Sequence, residues 1–303
     1  MLTRREFGTL ALATLAIPRF GAAQTVKGVR LGVQTYSFRD LPRAPGSDHV
    51  DTIVAAMKAC GLTECELFAP QVEPQFAGRT EPGAVASPDA ARARDELRKW
   101  RLETPLTHFS TVGTKFREAG ITVYAYNYTP NTSFTDAEID RGFEMTRALG
   151  AEIITASTTL EVAKRIVPFA EKHQMAVAMH GHSRVDDPNE FATPASFAAA
   201  LKLSKYFKVN LDIGHFTAGN FDPVAYVREH HADITNLHLK DRKRNQGDNM
   251  PWGQGDTPIA AVLQLLEKER WPIRAYIEYE YRGAATPVEE VKNCFEYAKR
   301  ALI

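Results

Sequence analysis

Cysteine is scarce: Cys60, Cys65 and Cys294 are the only three in 303 residues. An odd and widely spaced set excludes a disulfide scaffold. Cys60 and Cys65 flank one predicted helix-to-strand turn, where they could bridge in an oxidising compartment or stay as buried free thiols. Their spacing is not that of a zinc knuckle. Net charge is also missing. Thirty-seven basic side chains are matched by 37 acidic ones, so the totals favour neither nucleic acid nor an anionic membrane as partner. The single basic run, Lys240-Asp241-Arg242-Lys243-Arg244, follows a strand end and is expected in a solvated loop, with anion binding as the alternative. No Gly-x-Gly-x-x-Gly follows the first strand, which argues against an open dinucleotide-binding sheet.

The chain is long enough, and at 44% hydrophobic content apolar enough, to bury a full core. Its first residues do not read as part of that core. Thr3-Arg4-Arg5-Glu6-Phe7 precedes the apolar run Gly8–Ile17, and Gly21-Ala22-Ala23 offers small residues for cleavage. The run is too short to span a bilayer, so residues 1–23 are expected to be a signal peptide. Paired arginines with Phe7 nearby resemble a twin-arginine signal, and an ordinary secretory signal is the alternative. Residues 24–303 would then form one exported domain, periplasmic or secreted and without a membrane anchor.

Eight short runs rich in Val, Ile, Leu, Tyr and Thr are expected as strands: 30–35, 64–68, 121–126, 152–156, 176–180, 208–212, 234–238 and 274–279. Amphipathic stretches lie between them, at 50–60, 89–102, 136–149, 160–173, 195–206, 259–269 and 288–302. Helix starts are marked by Ser87-Pro88, Thr193-Pro194, Asp222-Pro223, Thr257-Pro258 and Thr286-Pro287. In each, a side-chain oxygen can cap the turn and proline lacks the N–H that would be unpaired. Thr135 with Glu138, Thr158 with Glu161 and Thr286 with Glu289 have capping-box spacing. Pro105 breaks the second helical region. Eight strand–helix alternations predict a single (β/α)8 TIM barrel, with a doubly wound sheet as runner-up.

Four strand runs end on residues that can bind a divalent metal: His180, Asp212, His238 and Glu278. Carboxyl ends of barrel strands converge on one spot. Two imidazoles and two carboxylates suit manganese first, with zinc, cobalt or iron as alternatives.

Leu31-Gly32-Val33-Gln34-Thr35-Tyr36-Ser37-Phe38, Leu211-Asp212-Ile213-Gly214-His215, His238-Leu239-Lys240-Asp241 and Ile277-Glu278-Tyr279 resemble the xylose isomerase-like TIM-barrel superfamily, over essentially all of residues 24–303. This group contains sugar phosphate isomerases/epimerases, inosose dehydratases and 3-keto-glycoside lyases. The resemblance implies a metal beside a bound sugar or hydroxy-ketone, with Asp212, His238 and Glu278 matching the family's ligands. His180 stands where many members, the two-glutamate epimerases among them, carry a glutamate. In those enzymes two glutamates move the proton on opposite faces; here Glu278 alone remains. His182 or Lys240 would supply the acid.

On the substrate side the sequence offers His215, Glu66, Tyr36, His108 and Trp252. His215 could instead support a ligand carboxylate, Glu66 could bond a barrel neighbour, and His108 could lie at the surface. Tyr36, Phe38, Tyr126 and Trp252 could stack on sugar or simply pack. Glu280 is expected beyond the strand end, in solvent or on a loop, and Asp241 as a helix or loop anchor. The resulting expectation is an exported metal-dependent isomerase or lyase acting on a carbohydrate through an enediolate, as a monomer or oligomer. A non-catalytic sugar-binding barrel and an endonuclease IV-like phosphodiesterase are the rivals.

Overall fold

The computed structural model describes residues 25–43, 48–76 and 88–303. The signal-peptide reading of residues 1–23 and the cap at Ser87 lie outside these. After a two-residue strand β1 (Thr25–Val26), eight strands follow: β2 (Val29–Gln34), β3 (Glu64–Phe68), β4 (Thr122–Asn127), β5 (Ile153–Ala156), β6 (Val177–His180), β7 (Phe207–Asp212), β8 (Ile234–Leu239) and β9 (Arg274–Ile277). Each pairs in parallel with the next, and β9 pairs with β2, closing the barrel. Of these nine strands β1 alone runs antiparallel, against β2. The architecture is a single (β/α)8 TIM barrel, as the alternation predicts.

Helices α1 (Val50–Cys60), α2 (Pro88–Glu103), α3 (Leu106–Glu118), α4 (Asp136–Leu149), α5 (Leu160–His173), α6 (Pro194–Leu201), α7 (Ile213–Ala218), α8 (Pro223–His230), α9 (Ile259–Glu269) and α10 (Pro287–Ala301) surround it. Caps at Thr135, Thr193, Asp222 and Thr286 form as expected. Two do not. Thr159, not Thr158, caps α5, because the Thr158 hydroxyl donates to Pro130 O across the neighbouring loop. Thr257 does not cap α9; its hydroxyl accepts from Arg242 N and holds the preceding loop. Pro105 ends α2 by starting a new helix, α3, in the same connection.

Strand periodicity sorts the side chains into two cores. Leu31, Val33, Leu67, Val209, Leu211, Leu237 and Ile277 belong to the large core shared with the helices. Tyr124, Ala125, Ile153, Ala178 and Tyr276 form a separate apolar plug. Two residues beyond Ala125, Ile153, Ala178 and Tyr276 of this plug come Asn127, Thr155, His180 and Glu278, so the next layer up is polar. All three cysteines are buried and free.

Candidate metal centre

His180 ends β6, Asp212 ends β7, His238 is the penultimate residue of β8, and Glu278 directly follows β9. The parallel register places Asp212 opposite His238. Glu278 keeps the ladder for one more bond, its N–H donating to Leu239 O at 3.0 Å. Potential ligand atoms of these four buried residues all lie within 4.8 Å of one another. Each residue contributes one buried atom to the cluster: His180 Nδ1 has no hydrogen-bond partner, His238 Nδ1 is 3.2 Å from Glu278 Oε2, and Lys240 Nζ lies 3.0 Å from Asp212 Oδ2 and 2.8 Å from Glu278 Oε2. Two imidazole nitrogens and two carboxylate oxygens gathered in one buried cluster, where the carboxylates already draw the Lys240 ammonium, make a donor set that fits a shared cation.

The partners of the other atoms reinforce that fit. His238 Nε2 is 2.9 Å from Glu66 Oε2, so its proton sits there and the Nδ1 lone pair is left for the centre. Asp212 Oδ1 accepts from His215 N at 2.7 Å, turning Oδ2 inward. Burial opposes charge on His238, yet Glu66 and Glu278 outweigh it and hold the imidazole well above its usual range. The same acidic surroundings favour a metal cation at Nδ1 in place of a proton. His180 is driven the other way, by burial and by the neighbouring His238 and His182, and stays neutral. Burial pushes Asp212 up to about 6 against the pull of Lys240. Glu278 is held well below the usual carboxylate range, since Lys240 and His238 overcome its burial.

Glu66 lies on the floor of the site, not on its substrate side. It is 0% exposed and takes hydrogen bonds from Gln34, Asn127, Thr155, Asn210, Asn236 and His238. No lone pair is left for a sugar hydroxyl, so of the two roles weighed for it the barrel-neighbour role is the one its contacts fill. His108 is held by the loop that follows β3 and is not part of the ligand cluster. It sits in the first turn of α3, with Nε2 3.1 Å from Val72 O and its ring edge-on to Trp100.

Lys240 is buried at the centre, its Nζ 3.0 Å from Asp212 Oδ2, 2.8 Å from Glu278 Oε2 and 2.5 Å from Glu280 Oε2. Burial disfavours its charge, but these three carboxylates keep the ammonium well above the usual lysine range. Glu280 lies beyond the end of β9 on a loop, one of the two places expected for it, and from there its carboxylate reaches Lys240. His182 stands at the rim, its ring 5.0 Å from that of His180. Its Nδ1 is 2.8 Å from Glu190 Oε1, and Arg184 pairs with the other oxygen of the same carboxylate. Nε2 is thereby left to face outward from the dyad.

His215 reaches the site because Asp212 starts the short helix α7. Gly214 permits this: a Cβ there would come within 2.7 Å of Lys240 O. Gly181 plays a similar part between the two histidines, where a Cβ would meet Phe197 Cζ at 2.7 Å. His180, His182 and His215 form a second cluster of possible ligands. Cationic Arg242 and Lys240 face the two ring nitrogens of His215 at 2.7 and 3.0 Å, which disfavours a second metal ion there.

Tyr36 follows β2, edge-on to Phe68 with the Arg39 guanidinium over its ring. Trp252 lies in the loop after β8 and packs edge-on against Tyr297 of α10. Phe38 and Tyr126 are fully buried and act in packing. Asp241 anchors the loop after β8 by accepting from Gly253, Gly255 and Thr257 N–H groups. The basic run is thus no solvated loop at its start: Lys240 and Asp241 are buried and Arg242 is half-buried. Sequence reasoning also passed over Glu190, which returns to the site eight residues after His182 from a loop with no periodic signal.

The same barrel occurs in solved structures of low sequence identity. A sugar phosphate isomerase/epimerase from Parabacteroides distasonis is 17% identical, with a TM-score of 0.59 over 91% of this chain and 97% of that one. A 3-keto-D-glucoside 4-epimerase from E. coli is 12% identical, with a TM-score of 0.59 over 90% and 99%. A 3-DHS dehydratase assigned to petrobactin synthesis in Bacillus anthracis is 12% identical, with a TM-score of 0.62 over 88% and 98%. No protein with a curated description matches. The sequence model of the xylose isomerase-like TIM barrel matches residues 29–300, nearly the whole described chain, and the protein belongs to that family.

Proposed function

We propose that this protein is a divalent-metal-dependent enzyme that moves a proton next to a carbonyl group of a sugar, ketosugar or 3-keto-glycoside. Isomerisation or β-elimination is favoured over epimerisation. The observation that carries this reading is the convergence of four buried ligand atoms, from His180, Asp212, His238 and Glu278, with a histidine and not a second glutamate at the end of β6. Manganese, or zinc, cobalt or iron, would be held by His180, Asp212, His238 and Glu278. Such an ion supplies positive charge that makes a C–H beside a carbonyl more acidic.

The remaining chemistry falls to the chain. Glu278 is kept ionised by Lys240 and His238 and takes the proton. His182, oriented by Glu190 with Nε2 free, is better placed than Lys240 to protonate a departing or accepting oxygen. Lys240 is surrounded by three carboxylates and fits the part of an electrostatic clamp. Relatives of the fold include epimerases and a dehydratase, which supports a carbohydrate or similar polyhydroxy substrate. A sugar-binding barrel without turnover would have no use for an oriented histidine–carboxylate dyad beside the ligand set.

The test is incubation of the metal-loaded enzyme with ketoses and 3-keto-glycosides in deuterated water, followed by NMR. The reading expects solvent deuterium beside the carbonyl together with an isomerised or eliminated product. Efficient C3 epimerisation, undiminished in His182→Ala and Lys240→Ala, would contradict it.

A further inference from the structure

Arg242 lies in the basic run after β8, and its guanidinium is tightly held. Nε and Nη2 both donate to Gly247 O, at 3.1 and 2.7 Å, and Nη1 donates to Ser183 Oγ at 3.0 Å. The turn that presents Gly247 O is itself anchored. Gln246 N donates to Ala218 O at the end of α7, and Gln246 Nε2 to Ser183 O. Asn245 and Gln246 both adopt left-handed backbone, at φ 58° and 60°, a conformation non-glycine residues hold only when their surroundings enforce it. With its fork fixed, Arg242 directs Nη1 at His215 Nδ1, 2.7 Å away.

A guanidinium has no lone pair and does not lose its proton, so it can only donate. A neutral imidazole has one acceptor nitrogen. Lys240 Nζ faces the other ring nitrogen, Nε2, at 3.0 Å. Both cations cannot donate to the same ring. The Arg242 contact is shorter and comes from an immobilised fork, whereas three carboxylates compete for the Lys240 ammonium.

We propose that Arg242 is a positioning residue that fixes His215 as the Nε2–H tautomer, making it a hydrogen-bond donor into the site and excluding it as a base. Its Nε2 is 3.8 Å from Asp212 Oδ2, one of the four clustered ligand atoms, so an oxygen of a bound substrate is within its reach. This last step rests on the proposed carbonyl chemistry; the tautomer itself does not. The positive charge behind Nδ1 polarises the ring and strengthens the Nε2–H donor as negative charge develops on the substrate oxygen.

The test reads the ring directly. Full-length protein labelled with ¹⁵N-histidine is examined by long-range ¹H–¹⁵N NMR, without substrate, both metal-free and loaded with diamagnetic zinc. Wild type is expected to show an unprotonated, hydrogen-bonded Nδ1 and a protonated Nε2 for His215. Arg242→Met should give a mixture of tautomers and a kcat lower by on the order of 10², with KM and metal content little changed. Arg244→Gln, which removes a charge from the same run without touching His215, should alter neither. A protonated Nδ1 in wild type, or an unchanged tautomer in Arg242→Met, overturns the proposal; the wild-type reading decides even if the methionine variant does not fold. If the tautomer is as expected but no carbonyl substrate turns over, the proposed function fails and the Arg242 assignment stands.

Discussion

His238 Nε2 and Glu66 Oε2 are 2.9 Å apart on the barrel floor, and this contact decides which face of the imidazole looks up into the site. A carboxylate behind a ligand histidine fixes its tautomer and increases its basicity. Glu66→Gln should therefore weaken metal binding by about 10–100-fold, measured by calorimetric titration of the metal-free protein. It should also lower stability, because the amides of Asn127, Asn210 and Asn236 would face an amide that offers one acceptor oxygen in place of two. Unchanged metal affinity would remove Glu66 from the metal centre.

Glu280 and Lys240 make the second relationship to test. Their 2.5 Å contact ties the rim to the clamp lysine. Glu280→Gln should leave metal content intact and reduce turnover by on the order of 10-fold, a partial loss relative to removing a positioned acid or base outright. Metal analysis and steady-state kinetics on the same preparation separate the two effects.

The His182–Glu190 pair gives a pH prediction for stability. The hydrogen bond from His182 chiefly, and Arg184 against the opposing effect of burial, hold the Glu190 carboxyl below its ordinary 4.5. A depressed folded-state value means the contribution is present above that ordinary value and disappears as pH falls through the lowered one. Glu190→Gln should cost about 1–3 kcal/mol at neutral pH, and the gap to wild type should close in strongly acidic buffer. Urea unfolding at several pH values measures it; a gap independent of pH would contradict the assignment.

The export reading rests on Arg4, Arg5 and the apolar run that follows. Replacing both arginines with lysine should retain the protein in the cytoplasm if the twin-arginine route is used. Continued export of the lysine variant, followed by cell fractionation, would point to the general secretory route.

The barrel was readable in advance because each strand is an apolar run bounded by caps or glycine, and β3 begins and ends where the run does, at Glu64 and Phe68. The four strand-end ligands could be found for the same reason: strand parity puts His180, Asp212, His238 and Glu278 on one side of the sheet. What lay beyond those ends could not. Glu66 looked like a substrate contact, since nothing local in the sequence reveals that six donors from five other strands converge on it. Arg242 looked like surface charge because two of its partners, Ser183 and His215, lie 59 and 27 residues away, in the loop after β6 and in α7, and only Gly247 belongs to its own loop. Of the two roles open to His108, facing the pocket or lying at the surface or a cap, its place in the first turn of α3 with Nε2 near Val72 O fits the second.

The central claim is that His180, Asp212, His238 and Glu278 hold a divalent cation. Elemental analysis of the protein, purified without chelators and dialysed against metal-free buffer, tests it most directly. The account predicts about one divalent ion per chain, lost in Glu278→Gln and in His180→Ala while circular dichroism shows the barrel intact. Retention of the ion by both variants, or failure of the wild-type protein to bind manganese, zinc, cobalt or iron on titration, would contradict it.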